Sequence, residues 1–337
     1  MHPAREDRST EGEEVFVGRG DIYRQPDAPD PVLPDALVLD LARAHLPAGT
    51  SVSAVLQVDE SGGEARAYLL DGAVVVKTQR PHRIRPRTSL AKEAALLRAL
   101  AGPLAGRIPM VFGYAQLDSV AGPVELTVMS RVSGRPVISQ PVHAATRRAV
   151  LSELGAVLRA VHALDPVAIN RALPVSDRVP VQADPAALRR RFELGFATLT
   201  EQLSGARPGN WPLQTPPDEL ARRALQLLPS GWAQPPVVLH ANPGPTHTFT
   251  DSAGRFTALI DFGDAYASHP ALDLRSWPDP QDRRVLREGY LAGVEPGAQW
   301  DAVWTVVMVL TDMAAIAAGD QYASAASADL TAVLGVL

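Results

Sequence analysis

Six residues of this chain have the types and spacing for chemistry: Lys77, Glu93, His240, Asn242, His247 and Asp261. Lys77 closes the apolar run Val74-Val75-Val76, and Glu93 lies on the next helical stretch, where it could pair with the ammonium. Lysine is scarce here: of 32 basic side chains only Lys77 and Lys92 are lysines, so one at such a position is not an accident of composition. Asp261 ends the run Ala258-Leu259-Ile260 just before Phe262-Gly263-Asp264. Phosphoryl transfer needs a lysine to hold phosphate, a carboxylate and a second ligand for a metal, and a group to orient the attacking hydroxyl. Lys77, Glu93 and Asp261 suit the first part of that chemistry. Each also has a plainer reading, as an exposed lysine ending a buried strand or an ordinary strand end before a turn.

The elements that must position these residues follow from the pattern. Asp35 to His45 reads as a short helix ending before Pro47. Strands are expected at Ser51–Val58 and Ala65–Leu70, around the turn Asp59-Glu60-Ser61-Gly62-Gly63-Glu64. Asp71-Gly72 is a two-residue hairpin signal leading into the strand that ends at Lys77. Leu90 to Leu100 carries apolar residues at helical spacing, and Val124 to Met129 reads as a further strand. Thereafter the chain is mainly helical. Ala144 to Ala163 is amphipathic, and Asp184-Pro185 supplies an N-cap and first-turn proline for a helix reaching about Leu203. Short strands are expected at Val237–Leu239, Thr248–Thr250 and Phe256–Ile260, with helices from Asp279 onward. Residues 1 to 34 are charged, proline-containing and weakly patterned, so mobility is expected there, with a strand or docked arm open at Val15–Tyr23.

In this order the segments resemble the aminoglycoside phosphotransferase and choline kinase families, over about Ser51 to Leu291. The resemblance rests on Val237-Val238-Leu239-His240-Ala241-Asn242, Pro245-Thr246-His247 and Asp261-Phe262-Gly263-Asp264, in sequence with Lys77 and Glu93. It implies an α+β, bilobal protein-kinase-like fold: a β-rich N-lobe over 35–132 and a helical C-lobe over 133–337 carrying the catalytic-like and metal-binding loops. It implies that Lys77 holds nucleotide phosphates and is fixed by Glu93, that Asp261 binds the bridging metal, and that Asp264 follows as in the family. Gly62 and Gly63 take the place of the nucleotide loop, where backbone amides could approach phosphate, although a plain solvated hairpin turn reads equally well. Val128 to Pro136, with Met129, resembles the hinge whose backbone meets adenine, although a strand ending in a turn reads equally well. His240 and Asp273 match positions that brace the catalytic loop. His162, in the helix end Leu158–Pro166, reads as a packed structural histidine.

The departures fall where chemistry is expected. Asn242 stands at the catalytic aspartate position, and an amide cannot take up a proton; it can only orient a hydroxyl. His247 stands at the second metal-binding position, usually asparagine. Mg²⁺ prefers oxygen ligands, whereas Mn²⁺ or Zn²⁺ tolerates imidazole better. Ala241 and Pro243 replace a glycine and a leucine. Asp59, Glu60 and Glu64 put carboxylates beside the glycines, which would repel a triphosphate in the absence of metal.

Two expectations therefore stand side by side. One is O-phosphotransfer from ATP (or GTP), with Mg²⁺ or Mn²⁺, to a hydroxyl of a small molecule, slowed at Asn242. The other is a pseudokinase-like module that binds a small molecule or a protein partner without transfer. A third, with His240 and His247 as ligands of a metal hydrolase, lacks the spacing of a helical two-histidine site. The composition adds exclusions. Net charge is −5, which asks for neither nucleic acid nor an anionic membrane. There is no cysteine, hence no thiolate nucleophile or disulfide. The first ten residues lack the apolar core of a secretory signal, and Val303 to Ala318 is a short apolar run containing Thr311 and Asp312. A cytoplasmic protein is the default expectation.

Overall fold

The computed structural model describes residues 23–335 except 121, 141, 183, 206–210 and 232–234. The first 22 residues of the mobile segment expected at 1–34, and all but Tyr23 of the arm considered at Val15–Tyr23, therefore lie outside the described residues. The chain forms two compact units, one built from residues 23–183 and 234–296, the other from 184–233 and 297–337.

In chain order the first unit contributes α1 (Asp35–His45), β1 (Val55–Asp59), β2 (Ala65–Leu70), β3 (Val74–Gln79) and α2 (Leu90–Leu100). It continues with β4 (Val111–Ser119), β5 (Gly122–Ser130), β6 (Arg135–Pro136), α3 (Ala144–His162) and α4 (Pro166–Arg171). The second unit then contributes α5 (Pro185–Gly205) and α6 (Pro217–Leu227). The first resumes with β7 (Val237–Leu239), β8 (Thr248–Thr250), β9 (Phe256–Leu259), β10 (Tyr266–Ser268), α7 (Ala271–Leu274) and α8 (Pro280–Leu291). The second closes with α9 (Ala298–Ala318) and α10 (Ala323–Leu334).

The large sheet is antiparallel with order β1-β2-β3-β5-β4. Alternation along β3 decides where Lys77 points. Val74 and Val76 are buried in a cluster with Tyr68, Leu70, Leu126, Val128 and the α1 residues Val38 and Ala42. Successive side chains of a strand face opposite sides, so Val75 and Lys77 lie on the other face. The turn before β3 differs from the expected two-residue hairpin. Leu70 pairs with Val74, leaving three residues in the loop, and both Gly72 and Ala73 take positive φ. Asp71 explains the longer turn, because its carboxylate accepts the backbone N–H groups of Ser53 and Ala54 and ties the turn to the segment leading into β1.

The strand β4 and the short β10 carry no clear signal in the sequence. β4 is an edge strand of mixed burial, and Gly113 in it has no room for a side chain: a Cβ would come within 2.2 Å of the His45 ring.

Beyond the large sheet, β7 pairs with β10, and β8 lies between β6 and β9. Helices α3 and α8 approach closely because Gly155 and Gly289 face them. A Cβ on Gly289 would lie 2.6 Å from the Ser152 Cα.

In the second unit α9 packs with α5, α6 and α10. The Asp184 carboxylate accepts the Ala186 N–H, as expected of an N-cap. Helix α9 is longer than the apolar run read from the sequence. Its 21 residues are long and apolar enough to cross a membrane by length and composition, and half of the apolar window is buried inside the protein. Asp312 in this helix is fully buried.

Candidate active site

All the residues singled out as chemical lie in the first unit. The site begins at β3 and α2. Ser89 caps α2 by accepting the Lys92 N–H, and the Glu125 carboxylate from β5 accepts the N–H groups of Leu90 and Ala91 at 2.6 and 3.1 Å. An anion at a helix N-terminus satisfies orphan donors and meets the helix dipole favourably. This anchoring fixes Glu93 on the first turn. Its Oε2 accepts from Lys77 Nζ at 2.8 Å, and its Oε1 accepts the Phe262 N–H at 3.1 Å. Lys77 Nζ also donates to Asp261 Oδ1 at 2.6 Å. One ammonium therefore joins the sheet, α2 and the loop after β9.

Burial alone would push the Lys77 ammonium toward neutrality, but the flanking carboxylates of Asp261 and Glu93 outweigh it and hold the amine charged far above neutral pH. Burial likewise opposes the Asp261 charge, and the Lys77 ammonium overcomes it, holding Asp261 below the usual carboxylate range. Glu93 is the more deeply buried carboxylate, and desolvation shifts it upward against Lys77.

The loop between β7 and β8 sits on a saturated base. The fully buried Asp273 accepts the N–H groups of His240 and Ala241 at 2.7 and 2.8 Å, and the Nε2–H of His162 at 3.0 Å. His162 Nδ1 is hydrogen-bonded to the Tyr290 hydroxyl at 2.9 Å. His240 is equally committed. Its Nε2 donates to the Ile260 carbonyl at 2.9 Å, and its Nδ1 accepts the Asn242 N–H at 3.3 Å. Burial is the main cause that pushes His240 down to about 4, so the ring is neutral, as this tautomer requires. Both ring nitrogens are used, which removes His240 from any metal-hydrolase reading. Among the described residues no group of three or more His, Asp or Glu side chains converges as a metal site.

Above that base the loop opens. Ala241 has φ +81° and Asp261 φ +73°, the left-handed region that side chains with a Cβ adopt at a cost. Asn242 is exposed. The side chain of His247 spans the mouth: Nδ1 donates to the Asn242 carbonyl at 2.8 Å, and Nε2 lies 3.3 Å from Asp261 Oδ2. Asp261 is 39% exposed, so this edge faces outward.

The other expected residues are placed differently. Met129 is buried on β5 opposite Val75, while Thr127 is opposite Lys77, so register relates Met129 to the lysine. Gly62 and Gly63 occupy the β1–β2 turn, and a Cβ on Gly63 would meet nothing within 4 Å. Two of the three carboxylates beside them are ion-paired, which weakens the repulsion that the sequence suggested, while Asp59 accepts the Ser61 N–H. Glu60 is paired with Arg66 at 2.6 Å, and Glu64 with Arg85 at 2.5 Å. Asp264 is occupied as well, by Arg85 and by the Thr88 hydroxyl at 2.6 Å. Sequence reading passed over Arg85, which joins the glycine turn to Asp264. Thirty arginines among 32 basic residues leave no signal to mark one of them.

The comparisons accord with this arrangement. Residues 55–304 match the family described as "Phosphotransferase enzyme family". No curated protein matches the sequence. Among solved structures, the macrolide 2'-phosphotransferase MphH from Brachybacterium faecium is 23% identical, covers 89% of this chain and 97% of its own, and gives a TM-score of 0.51. The GDP complex of aminoglycoside 2'-phosphotransferase-IIIa is 18% identical, with coverage of 90% and 98% and a TM-score of 0.53. The spectinomycin phosphotransferase APH(9)-Ia, in complex with ADP and spectinomycin, is 13% identical, with coverage of 86% and 91% and a TM-score of 0.55. At these identities the likeness is one of fold, and the fold is protein-kinase-like. With the matched span covering most of its length, this chain belongs to the phosphotransferase enzyme family.

Proposed function

We propose that the protein transfers a phosphoryl group from ATP or GTP to a hydroxyl of a small molecule, at a rate limited by Asn242. The observation that carries this reading is the convergence of Lys77, Glu93 and Asp261 within 2.8 Å of one ammonium. That cluster has the parts of a phosphate site, since the ammonium is permanently charged and is held by two carboxylates from different elements. The nucleotide complexes of the two phosphotransferases above support a nucleotide in the same place.

The roles follow from position. Lys77 meets the nucleotide phosphates while Glu93 keeps its amine in place. Asp261, with His247 beside it, would hold a divalent cation, which would neutralise charge on the transferring phosphates. Asn242 accepts a hydrogen bond from the acceptor hydroxyl and orients its oxygen toward phosphorus. It takes no proton, so the proton leaves late, onto a phosphoryl oxygen. In a loose transition state the nucleophile gains little charge before bond formation, so positioning and cationic charge do most of the work. General-base help is typically worth about 10²–10⁴ in rate, and a slow enzyme is the expected result.

The exposed amide at Asn242 also favours a second reading, a nucleotide-sensing module without transfer. Calorimetry with ATP in Mg²⁺, in Mn²⁺ and without divalent metal, on the wild type and on Lys77→Ala, tests the shared premise. Metal-dependent binding that Lys77→Ala weakens at least tenfold supports the nucleotide site on which both readings rest, and a rate raised by Asn242→Asp then favours phosphotransfer. Equal binding by the variant, or none by the wild type, overturns it.

A further inference from the structure

The peptide directly after Asn242 is held from beneath by a residue that the proposed chemistry does not use. Trp277, between α7 and α8, is fully buried and donates its indole N–H to the Pro243 carbonyl at 3.1 Å. The Thr248 hydroxyl also reaches that carbonyl, at 3.4 Å. The indole is itself fixed. The Arg147 guanidinium from α3 lies 5.6 Å over its centroid, and Arg147 Nε donates to both oxygens of Asp282 on α8 at 3.0 and 2.8 Å. Arg283 donates to the Trp277 carbonyl at 3.3 Å, which anchors the backbone. A guanidinium stacked on an indole and paired with a buried carboxylate resists reorientation of the ring.

Pro243 has no N–H, so its carbonyl is the polar handle by which this part of the loop can be oriented. Gly244 packs closely on the segment that carries Trp277: a Cβ there would lie 2.8 Å from the Ser276 carbonyl oxygen, and 3.5 Å from Asn242 Oδ1. The acceptor oxygen of Asn242 therefore sits beside the peptide that Trp277 pins. On the other side in sequence, Asp273 holds the N–H groups of His240 and Ala241. Asn242 is thus fixed from both directions, by Asp273 before it and by Trp277 after it. We infer that Trp277 is a positioning residue for Asn242: its indole N–H, aimed by Arg147 and Asp282, fixes the Pro243 carbonyl and with it the direction of the Asn242 amide. Packing alone needs the ring, whereas holding Pro243 needs the N–H. The kinetic consequence rests on the phosphotransfer reading, while the contact itself is read without turnover.

Trp277→Phe keeps an aromatic ring under Arg147 and deletes the N–H. In the ¹⁵N-labelled full chain, the side-chain amide signal lost in Asn242→Asp identifies Asn242, and Trp277→Phe should shift or split that signal while circular dichroism stays the same. The saturated rate of ATP hydrolysis should fall about tenfold or more, because small misplacements of a reacting group are costly. ATP affinity by calorimetry should stay within about twofold, since neither Lys77 nor Asp261 takes part in the contact. The double variant Trp277→Phe, Asn242→Ala should be no slower than Asn242→Ala alone, because a residue that acts through Asn242 has nothing left to position. General loosening would instead slow both backgrounds alike. Arg147→Lys leaves the indole N–H in place but frees its ring, and should give the same changes in smaller measure; it decides the matter if Trp277→Phe does not fold. An unmoved Asn242 amide, or equal losses in both backgrounds, overturns the inference. A moved amide in a protein that hydrolyses no ATP upholds the contact and removes the phosphotransfer reading.

Discussion

The base and the mouth of the β7–β8 loop are built by opposite rules. At the base, Asp273, His162, His240 and Tyr290 are joined so that both oxygens of Asp273 and all four nitrogens of the two rings have partners. At the mouth, Asn242 is exposed, Asp261 is part-exposed, and His247 reaches across to the Asp261 carboxylate. A buried polar network is costly when half satisfied, so the base is free to change only as a whole. The mouth meets solvent and ligands, and a substitution there alters chemistry with little effect on folding. The departures read from the sequence, at Ala241, Asn242, Pro243 and His247, all lie on the loop itself, whereas Asp273, His240 and His162 lie beneath it. The difference teaches that buried pairing holds the base of the loop, while its mouth is left to meet solvent and ligands.

The largest effect should come from breaking the base. Asp273→Ala strands two buried N–H groups and an imidazole, and should cost about 3–5 kcal/mol in denaturant unfolding. A loss under 1 kcal/mol would erase the distinction between base and mouth. Acid should act on the same place. His240 is buried neutral with its folded pKa near 4, below its unfolded value, so its contribution is present above about pH 6.5 and lost as pH falls toward 4. The shift corresponds to about 3 kcal/mol across that window, to be read from urea midpoints at each pH. His240→Gln should flatten the slope.

At the mouth the effects move to rate. Asn242→Asp should raise phosphotransfer, or acceptor-free ATP hydrolysis, at least about tenfold with stability almost unchanged, because it supplies a proton acceptor in a solvent-facing position. An unchanged rate with nucleotide bound would favour the sensing module. The smallest expected effect is at Ala241. Glycine removes the cost of a Cβ at φ +81°, offset in part by its greater freedom when unfolded, for a net gain of about 0.5–1 kcal/mol in thermal unfolding.

Much of this was legible in the sequence, for physical reasons specific to each element. The Val74–Lys77 run alternates against a buried neighbour, and α2 carries its own cap, so both announced themselves. Asp184-Pro185 did the same for α5. The strand β4 did not, because an edge strand of mixed burial has no alternation to read and its glycine serves a contact with His45, which is distant in sequence. In the site, the pairing of Lys77 with Glu93 was readable from their positions on successive elements. The neutralisation of Glu60 and Glu64 was not, since it depends on which of many arginines the fold brings beside them. Nor was the orientation of His247, which the Asn242 carbonyl sets.

The scarcity of lysine has a consequence for how this protein can be addressed chemically. Both lysine side chains are largely enclosed, Lys92 at 1% exposure with its amine on the Arg87 carbonyl and Lys77 at 16% between two carboxylates. Apart from the N-terminal amine, the described surface therefore offers amine-reactive reagents almost no target. A nucleotide carrying an acyl phosphate would have one lysine to acylate in the cluster, Lys77, and a single modified peptide would report whether that ammonium meets phosphate.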